Sequence, residues 1–456
     1  MARKKDSPTS LFVPADEQPY PIPENWCWTY IGNCYEVTSS KRVHKEDWKD
    51  SGIPFYRTRE LVKLSENGYV DNELFISNEL YEKLVADYGK PKIGDVLISG
   101  VGTIGTPFIV KENTPFYFKD GNIIWFQCKG ICLPKYIFYL YKSNFMHNLI
   151  HDMSAGTTVD TYTIINANRT ILPLPPLTEQ RRIANRIESL FAKLDEAKEK
   201  AQAVVDGVEL RKSAILHKAF TGELTERWRK EHGVGLESWK IVLFNDCIQK
   251  MQNGLAKRSG SIGESYVVLR LANLSEDGFD TSNLREILLD EKEQETYSLL
   301  ENDVIMIRVN GSKDNVGRQL LVPDVKKWAF CDHIIRIRYQ NNILPDYMVL
   351  FSKSDNYRTY VKDHMVSSAG QNTISRKGIA NMAVPVPECD EQKEIVRTLS
   401  VLFNKEQQAK EAAEVVLTQI DTMKKAILAR AFRGELGTND PAEKWAGELV
   451  KIAAGE

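Results

Sequence analysis

The amino-acid sequence predicts an α+β protein with an internal repeat, in which a globular domain followed by a long amphipathic helix occurs twice. Two observations predict this fold class. Each half of the chain combines short β-like runs with one long stretch of apolar residues at steps of three and four. Matching sequence blocks also recur at a nearly constant offset, and a repeat of this period is too long for a solenoid array. The pattern therefore indicates one duplicated unit of domain plus helix.

The first long helix is predicted between Leu172 and Leu224. Prolines just before residue 177 keep the chain extended, and Thr178 is suited to be the N-cap. Apolar residues then recur along one face as in a coiled-coil seam, and Gly222 is a suitable C-terminal stop. At 1.5 Å per residue, roughly 40 residues make a rod on the order of 60 Å long. The positions expected to pack in this helix are Ile183, Ile187, Phe191, Leu194 and Ile215.

The second long helix is predicted after Val384, where the same blocks return. Glu179-Gln180 matches Glu391-Gln392 (391 − 179 = 212), and Gly222-Glu223-Leu224 matches Gly434-Glu435-Leu436 at the same offset. Two unrelated amphipathic helices would not keep one offset across roughly 50 residues. The positions expected to pack in the second helix are Ile395, Leu399, Phe403, Ile420 and Ile427.

The repeat also predicts the domain organisation. The two globular segments open with paired Trp and Cys residues, Trp26 and Cys34 in the first and Trp239 and Cys247 in the second. Short strands separated by glycine and proline predict α+β domains rather than alternating βαβ units. The predicted segments are a flexible N-terminal arm (1–19), a first domain (20–175), a first helix (176–235), a second domain (236–388), a second helix (389–436) and a C-terminal tail (437–456).

Composition limits the possible partners. The 456 residues suggest two to four domains, with 42% hydrophobic and 27% charged residues. No apolar run reaches the roughly 18 residues needed to span a bilayer, so no membrane partner is expected. The net charge is −2, so a DNA-binding surface would have to be local or shared with a partner. The 7 cysteines form no CxxC pair and are odd in number, which favours free thiols in a reducing cytoplasm.

Motifs typical of enzymes are absent or incomplete. Gly100–Gly105 fits the GxGxxG pattern, but dinucleotide binding requires a helix directly after the glycines. The following residues, 106–110, have the pattern of another strand, so a glycine-rich hairpin tip is the preferred interpretation. There is no GxxxxGK[ST], HExxH or GxSxG motif, and no Asn-Pro-Pro-aromatic motif for amino-methyl transfer. His147 and His151 share a helical face without a third ligand, so neither a metal site nor catalytic residues are expected in this chain.

Several polar and basic residues fall at places suited to contact DNA. Glycines at a hairpin tip allow close approach of the backbone, strand-end arginines and amides suit base edges, and basic pairs in early loops suit phosphates. A further group lies in small, polar segments before each long helix, which we interpret with equal weight as DNA-facing loops or as solvated connectors. The candidates are Gly102, Thr103, Arg308, Asn310, Ser312 and Lys313 at the tips, Arg57, Arg59, Arg270 and Asn273 at strand ends, Lys41, Arg42, Lys257 and Arg258 in early loops, and Thr157, Thr158, Gln371, Asn372 and Thr373 before the helices.

Two variable domains, each followed by the same helix, resemble the specificity subunit of type I restriction–modification enzymes. The resemblance rests on an LPLPP-x-x-EQ motif before the first helix and an AIL-x-x-AF-x-GEL motif at the end of both, and it covers Pro21 to Leu436. One departure is Glu388-Cys389-Asp390, which replaces Pro176-Leu177-Thr178 of the first copy. The resemblance implies that each domain is a target-recognition domain for one half of a bipartite, asymmetric DNA site. It also implies that the helices pack antiparallel, separate the two domains and dock two methyltransferase subunits.

In this family the chemistry belongs to other subunits, so the resemblance implies a non-catalytic, cytoplasmic subunit. Its partners would be double-stranded DNA, two methyltransferase subunits and, through the complex, restriction subunits. No cofactor is expected in this chain, because the partner subunits would use S-adenosylmethionine, ATP and Mg²⁺. Two other function classes stay open: a coiled-coil scaffold or adaptor with protein-binding heads, and a nuclease or methyltransferase that acts alone.

Overall fold

The computed structural model describes residues 10–154, 160–275 and 278–456. The chain divides into two compact units, one formed by Met1–Ala201 with Val415–Glu456 and the other by Gln202–Glu414. Each unit contains one globular domain together with one part of each long helix. Among the described residues, no helix has the length and apolar composition needed to cross a bilayer.

The first domain consists of small sheets packed with short helices. Its strands are β1 (Cys27–Tyr30), β2 (Tyr35–Thr38), β3 (Ile53–Tyr56), β4 (Phe75–Ile76), β5 (Val96–Ser99), β6 (Pro107–Ile109), β7 (Tyr117–Phe118), β8 (Ile123–Cys128) and β9 (Ile171–Leu174). Its helices are α1 (Ile31–Cys34), α2 (Thr58–Asn67), α3 (Asn78–Tyr88), α4 (Pro134–Tyr141), α5 (Asn144–Ser154) and α6 (Ile164–Arg169). One sheet has the order β2-β8-β5-β6, another has β4-β3-β7, and β1 pairs with β9.

The central strand β5 explains why this domain holds together. It is buried along its whole length, and its side chains alternate between two cores because successive residues of a strand point to opposite faces. Val96 and Ile98 pack into the core shared with the long helices, while Leu97 packs into a second core with Phe118. An apolar run without alternation is therefore satisfied by burial on both faces.

Three helices follow: α7 (Leu177–Asp206), α8 (Val208–Phe220) and α9 (Glu226–His232). The first predicted rod is thus interrupted at Gly207, where glycine costs about 1 kcal/mol relative to alanine in a helix. The Arg211 guanidinium donates to the Val204 carbonyl at 2.9 Å, a carbonyl that an unbroken helix would use for its own next turn. Gly222 does end the helical run, with a left-handed φ of 84°.

The predicted N-cap of the first long helix is wrong. Helix α7 begins at Leu177, so Thr178 already lies in its first turn. The Thr178 hydroxyl donates to the Glu443 carboxylate instead of accepting from the backbone of the next turn. The C-terminal segment therefore takes part in anchoring the start of this helix.

The second domain repeats the plan of the first. Its strands are β10 (Lys240–Leu243), β11 (Ile248–Asn253), β12 (Glu264–Leu269), β13 (Glu286–Leu289), β14 (Val304–Ile307), β15 (Val309–Asn310), β16 (Gln319–Leu321), β17 (Trp328–Phe330), β18 (Ile334–Tyr339), β19 (Val366–Ser368), β20 (Gln371–Thr373) and β21 (Ala383–Val386). Its helices are α10 (Glu291–Tyr297), α11 (Pro345–Phe351), α12 (Asp355–His364) and α13 (Arg376–Ala380). The chain then continues into α14 (Cys389–Ala431) and α15 (Gly447–Ala454).

The sheet orders of the two domains correspond strand for strand. The order β11-β18-β14-β16 matches β2-β8-β5-β6, the order β13-β12-β17 matches β4-β3-β7, and the pair β10-β21 matches β1-β9. In both three-stranded sheets one pairing is parallel, β3 with β7 and β12 with β17. The α+β fold class and the internal repeat are therefore confirmed. The second domain also contains a further three-stranded sheet, β15-β20-β19, whose pairings are both antiparallel.

In the first unit the two long helices run antiparallel. The side chain of Arg182, near the start of α7, bonds the Thr438 carbonyl beyond the end of α14, and Asp195 further along pairs with Lys424. Residue numbers therefore rise along one helix as they fall along the other. Of the positions expected to pack here, Ile183, Ile187 and Ile420 are buried, and Phe191, Leu194 and Ile427 are partly buried.

The same direction holds inside the second unit. Arg211 of α8 pairs with Glu406 of α14 at 2.8 Å, and Arg229 of α9 pairs with Glu391 at the start of α14. Of the positions expected to pack here, Ile395 and Leu399 are buried, and Ile215 and Phe403 are partly buried. Each unit thus closes its domain with two antiparallel helical segments that come from different repeats.

The described part of the predicted flexible arm, residues 10–19, is packed against the first domain. Val13 is only 3% exposed, and its N–H donates to the Trp28 carbonyl at 3.0 Å. Leu11 and Phe12 also lie against the core. The expectation of a loose arm is therefore wrong for these residues, because their apolar side chains and backbone find partners on β1. Residues 1–9 lie outside the described part of the chain.

Candidate nucleic-acid interface

The structure brings two groups of candidate residues in the second domain into one small sheet. Strand β15 pairs with β20, which places Asn310 opposite Asn372, although these residues are 62 positions apart. The Asn372 amide donates to the Gly311 carbonyl at 2.8 Å, and the side chain of Asn372 is buried. Asn372 therefore holds the sheet together, while Gln371 is exposed and Thr373 is half-buried.

The tip next to this sheet presents exposed polar groups. The Asn310 side-chain oxygen accepts from the Ser312 N–H at 2.9 Å, the self-capping turn that asparagine commonly forms. Ser312 and Lys313 are exposed beyond it. The backbone turn is thus fixed locally, and the two side chains are free to meet a ligand that approaches the tip.

An ion-pair network lies at the base of the same tip. The Arg258 guanidinium lies 3.6 Å from the Asp332 carboxylate, and His333 Nδ1 lies 3.2 Å from it. Arg308 donates to the Asp332 backbone carbonyl at 3.2 Å. The sequence predicted the two arginines as DNA contacts but gave no role to Asp332, which both of them contact. The available signal was its correspondence with Asp120 of the first copy.

Cys331, Asp332 and His333 are also a group of described residues whose donor atoms lie within 4.8 Å of one another. Burial raises the pKa of the Cys331 thiol, which disfavours the thiolate that a metal ion requires. The nearby Arg258 guanidinium already compensates the Asp332 carboxylate. The cluster is therefore an ion-pair network and a poor site for a cation.

The strand-end candidates are largely engaged within their own domains. In the second domain the Asn273 oxygen accepts from the Arg270 N–H at 3.0 Å, and its amide donates to the Asn283 carbonyl at 2.8 Å. Asn273 is buried, so it shapes the loop and cannot reach a base edge in this arrangement. Arg270 also donates to the Asn283 carbonyl, at 2.8 Å.

In the first domain Glu60 has the corresponding position. It accepts from the Arg57 N–H at 3.0 Å and pairs with the side chains of Arg57 and Arg59, both at 2.9 Å. Burial opposes ionisation, but these hydrogen bonds outweigh it and lower the pKa of Glu60. Arg59 also pairs with exposed Glu73. The positive charge of the two arginines is thus partly neutralised.

The remaining candidates are scattered. Exposed Lys41 lies over the Tyr88 ring at 4.8 Å, and Arg42 is exposed beside it. Lys257 pairs with Glu293 at 2.5 Å. Gly102 and Thr103 are exposed at the turn between β5 and β6, and the strand predicted after the glycine-rich motif is present as β6. Thr157 and Thr158 lie outside the described residues.

The matched Glu-Gln pair serves the junction between domain and helix. In the first unit the Trp26 indole N–H donates to Glu179 at 2.8 Å, and in the second the Trp239 indole N–H donates to Glu391 at 2.9 Å. The three side-chain hydrogen bonds of Gln180 have counterparts at Gln392 in the other repeat. Gln180 accepts from the Leu133 N–H and donates to the carbonyls of Ile131 and Pro175, while Gln392 accepts from the Leu344 N–H and donates to the carbonyls of Asn342 and Pro387.

The electrostatics of the two junctions differ. Glu391 forms a buried ion pair with Arg229 at 2.6 Å, with side chains 2% and 7% exposed. At Glu179 burial raises the carboxyl pKa, and the nearby Arg182 opposes that effect only in part. Arg182 is itself paired with Glu443 at 2.8 Å. The repeated motif therefore has one geometry and two charge environments.

Comparisons with known proteins agree with this architecture. A family model for the type I restriction modification DNA specificity domain matches residues 23–205 and 272–415. The StySPI specificity subunit of Salmonella potsdam is 33% identical over 448 residues, which cover 95% of this chain and 93% of the relative. The EcoKI specificity subunit of Escherichia coli K12 is 28% identical over 454 residues, with 95% and 93% covered.

A solved structure shares the fold. The crystal structure of the HsdS subunit from Thermoanaerobacter tengcongensis has a TM-score of 0.63 and 18% identity, and the match covers 92% of this chain and 100% of that chain. The family match over most of the chain confirms the resemblance inferred from the repeated helix motifs. The chain therefore belongs to the specificity subunits of type I restriction–modification enzymes, a family that provides DNA sequence specificity and leaves catalysis to other subunits of the complex.

Proposed function

We propose that each globular domain reads one half of a bipartite, asymmetric DNA site, and that the long helices set the spacer and dock two methyltransferase subunits. The observation that supports this most is a shared scaffold with unlike surfaces. Gly100 and Arg308 have the same backbone bonds: Gly100 N–H to Asn122 O and Arg308 N–H to His333 O, both at 2.8 Å. The equivalent position therefore has no side chain in the first domain and a guanidinium group in the second.

The two domains thus offer different means of recognition. A Cβ at position 100 would lie 2.8 Å from the Tyr162 carbonyl oxygen, so the first domain can present only backbone there. Arginine at the equivalent position of the second domain has the donors that suit the O6 and N7 atoms of guanine. Different half-sites are the expected result of such a pair.

Docking of methyltransferase subunits is supported by an apolar groove on the paired helices of the first unit. Leu190, Leu194, Met423 and Ile427 contribute to a groove of about 360 Å³, and Met423 is among the exposed large apolar residues. Exposed apolar surface on a helix pair is typical of a site for another protein. We also propose that S-adenosylmethionine, ATP and Mg²⁺ bind to the partner subunits, since β6 follows the glycine-rich motif where a nucleotide site needs a helix.

Replacing Arg308 with alanine tests direct reading by the second domain. We expect the substitution to weaken discrimination at one base pair by about 1–3 kcal/mol, the usual contribution of a bidentate arginine–guanine contact. The measurement is the dissociation constant of the assembled complex for the cognate site and its single-base variants. Lys313→Ala is the control: a phosphate contact would weaken all sequences alike and reduce the salt dependence. Unchanged discrimination by the Arg308→Ala complex would contradict this role.

Shortening the first long helix tests the spacer. Removal of one helical turn from residues 197–208 takes away about 5.4 Å, so we expect a spacer shorter by one or two base pairs and unchanged half-sites. Methylation-site mapping in cells that express the variant with its cognate subunits gives the result. A substitution that leaves the length of the helix unchanged, such as Lys198→Ala, should leave the spacer unchanged. A turn deletion that leaves the spacer as it was would refute this function of the helix.

A further inference from the structure

Strands β1 and β10 have the same place in their domains, and each has an outer edge that faces away from its pairing partner. Trp28 lies opposite Pro173, and Ile241 lies opposite Pro385. Proline has no N–H to give to a ladder, so these are the non-hydrogen-bonded pairs of an antiparallel ribbon. The backbone N–H and C=O groups of Trp28 and Ile241 therefore point to the outer edge.

In the first unit this edge is covered by residues 10–20. The Val13 N–H donates to the Trp28 carbonyl at 3.0 Å, and the Thr29 hydroxyl donates to the Leu11 carbonyl at 2.7 Å. The Tyr20 ring packs edge-on against Trp28 with centroids 4.9 Å apart. Together with Phe145 of α5, whose ring centroid lies 5.7 Å away, these contacts leave Trp28 only 2% exposed. The apolar residues 11–13 thus lie along the outer edge of β1, and a 3-10 turn at Ala15–Glu17 follows them.

In the second unit the equivalent edge is open at Ile241, while the Leu243 carbonyl accepts from the Cys247 thiol at 3.7 Å. Ile241 is 69% exposed and Leu243 is 45% exposed, and both point to one face because side chains alternate along a strand. Within residues 10–154, 160–275 and 278–456, no segment pairs with the outer edge of β10. An open edge with exposed aliphatic side chains is a template for another strand. The duplicated fold therefore contains one filled edge and one open edge.

We propose that the outer edge of β10 binds an extended segment of a methyltransferase subunit, by addition of a strand that covers Ile241 and Leu243. The inference rests on the proposed assembly with methyltransferase subunits. The covered edge in the first unit shows the chemistry of the occupant: a main-chain donor for the Ile241 carbonyl and apolar side chains near it. Strand addition with apolar contacts at alternate residues is a common mode of peptide recognition.

A second copy of this chain is a poor source for the segment that would bind β10. Residues 10–20 already cover Trp28 in the first unit. If a second copy placed its residues 10–20 against Ile241, its own Trp28 would become exposed. The exchange would therefore bury little additional surface. A segment from a different polypeptide adds burial without that loss.

Hydrogen exchange resolved to single amides tests the proposal on the full-length chain, alone and assembled with its methyltransferase subunits. The outward amides of Ile241 and Leu243 should exchange at least tenfold more slowly in the complex. The Val242 amide is an internal control, because it faces β21 and should change little. Equal exchange at Ile241 in the two states would overturn the proposal. Protection of the free chain that grows with its concentration would also overturn it, since the occupant would then be a second copy.

A matched pair of variants gives an independent measurement. Ile241→Asp should weaken assembly with the methyltransferase subunits by tenfold or more, while Ile452→Asp, at a residue that is 71% exposed on α15 of the first unit, should not. A synthetic peptide with the sequence of residues 10–20 should bind the free chain and lose binding to the Ile241→Asp variant. Equal assembly of the two variants would count against the docking edge.

Failure of this inference and failure of DNA reading have different signatures. At saturating partner concentration the Ile241→Asp complex should keep its preference for the cognate DNA site, because β10 is not among the proposed DNA contacts. Loss of preference in the Arg308→Ala complex with normal protection of Ile241 would support both proposals. Normal preference with an unprotected Ile241 would remove only the docking edge.

Discussion

Replacing Glu391 with glutamine is expected to destabilise the second unit by about 3–5 kcal/mol, the usual cost of removing one partner from a buried ion pair. Arg229 would keep a full charge that is 7% exposed. Its acceptors would then all be neutral: the glutamine amide oxygen, the Thr225 hydroxyl and the Gly222 carbonyl. The measurement is denaturant unfolding, with hydrogen exchange in β21 to report on this unit, since two units can unfold separately.

Glu179→Gln is the matched control in the first unit. Glutamine can still accept from the Trp26 indole, and among the described residues Arg182, the nearest arginine, is paired with Glu443 instead of Glu179. Because burial raises the pKa of Glu179 above its unfolded value, the native state holds this proton more tightly, and stability falls as pH rises through that interval. A permanently neutral amide should therefore cost below about 1 kcal/mol at neutral pH.

A double substitution checks the cause of the Glu391 effect. Arg229→Met added to Glu391→Gln removes the second buried charge, so it should recover part of the lost stability. Equal costs for Glu179→Gln and Glu391→Gln would show that the shared hydrogen bond to tryptophan dominates both sites. Further loss in the double variant would show that Arg229 stabilises the unit through its other contacts.

Exchange of residues 236–388 for the corresponding segment of a relative is expected to change one half-site completely and to leave the other half-site and the spacer as they were. The reason is the pairing of β10 with β21, in which Lys240 lies opposite Val386. The chain thus enters and leaves the second domain side by side, and both strands come from the donor. Methylation-site mapping of cells that express the chimera with its cognate subunits is the measurement.

Success of the exchange depends on contacts that cross the boundaries of the exchanged segment. The donor needs a tryptophan at position 239 for Glu391 and a backbone N–H at 344 for Gln392. It also needs aromatic side chains that receive Phe220, which packs against Tyr347 and Phe351. A chimera that carries these residues and alters both half-sites would contradict independent reading by the two domains.

The predictions that depended on repeat offsets and apolar periodicity were confirmed, whereas the N-cap predicted at Thr178 was wrong and the first predicted rod is interrupted at Gly207. The duplication and the strand after the glycine-rich motif follow from offsets and from the absence of a helix pattern, and the antiparallel packing that the family resemblance implied is present within each unit. These features are encoded over short stretches, because burial of one helix face or one strand face requires side chains at fixed steps. The stop at Gly222 is similar, since a left-handed residue at a helix end favours glycine irrespective of its surroundings.

The predicted DNA contacts show the opposite case. Arg57, Arg270 and Asn273 have suitable chemistry for bases, yet their partners are Glu60 and Asn283 of the same domain. Nothing near them in the sequence specifies whether a polar side chain is used inside the fold or kept for a ligand. That depends on which distant segments the fold places within hydrogen-bond distance. The DNA-contact assignments of all these candidates stay predictions.

By itself the sequence determined the repeat, the fold class and the family, because repeated apolar periods and matched motifs can be recognised from the order of residues alone. The tertiary structure decided what those motifs do: Glu391 neutralises a buried arginine, Asn372 ties a sheet together, and residues 10–20 cover β1 while β10 stays open. The physical reason is that solvation and charge compensation are set by neighbours in space. Those neighbours are brought together by contacts between segments far apart in the chain.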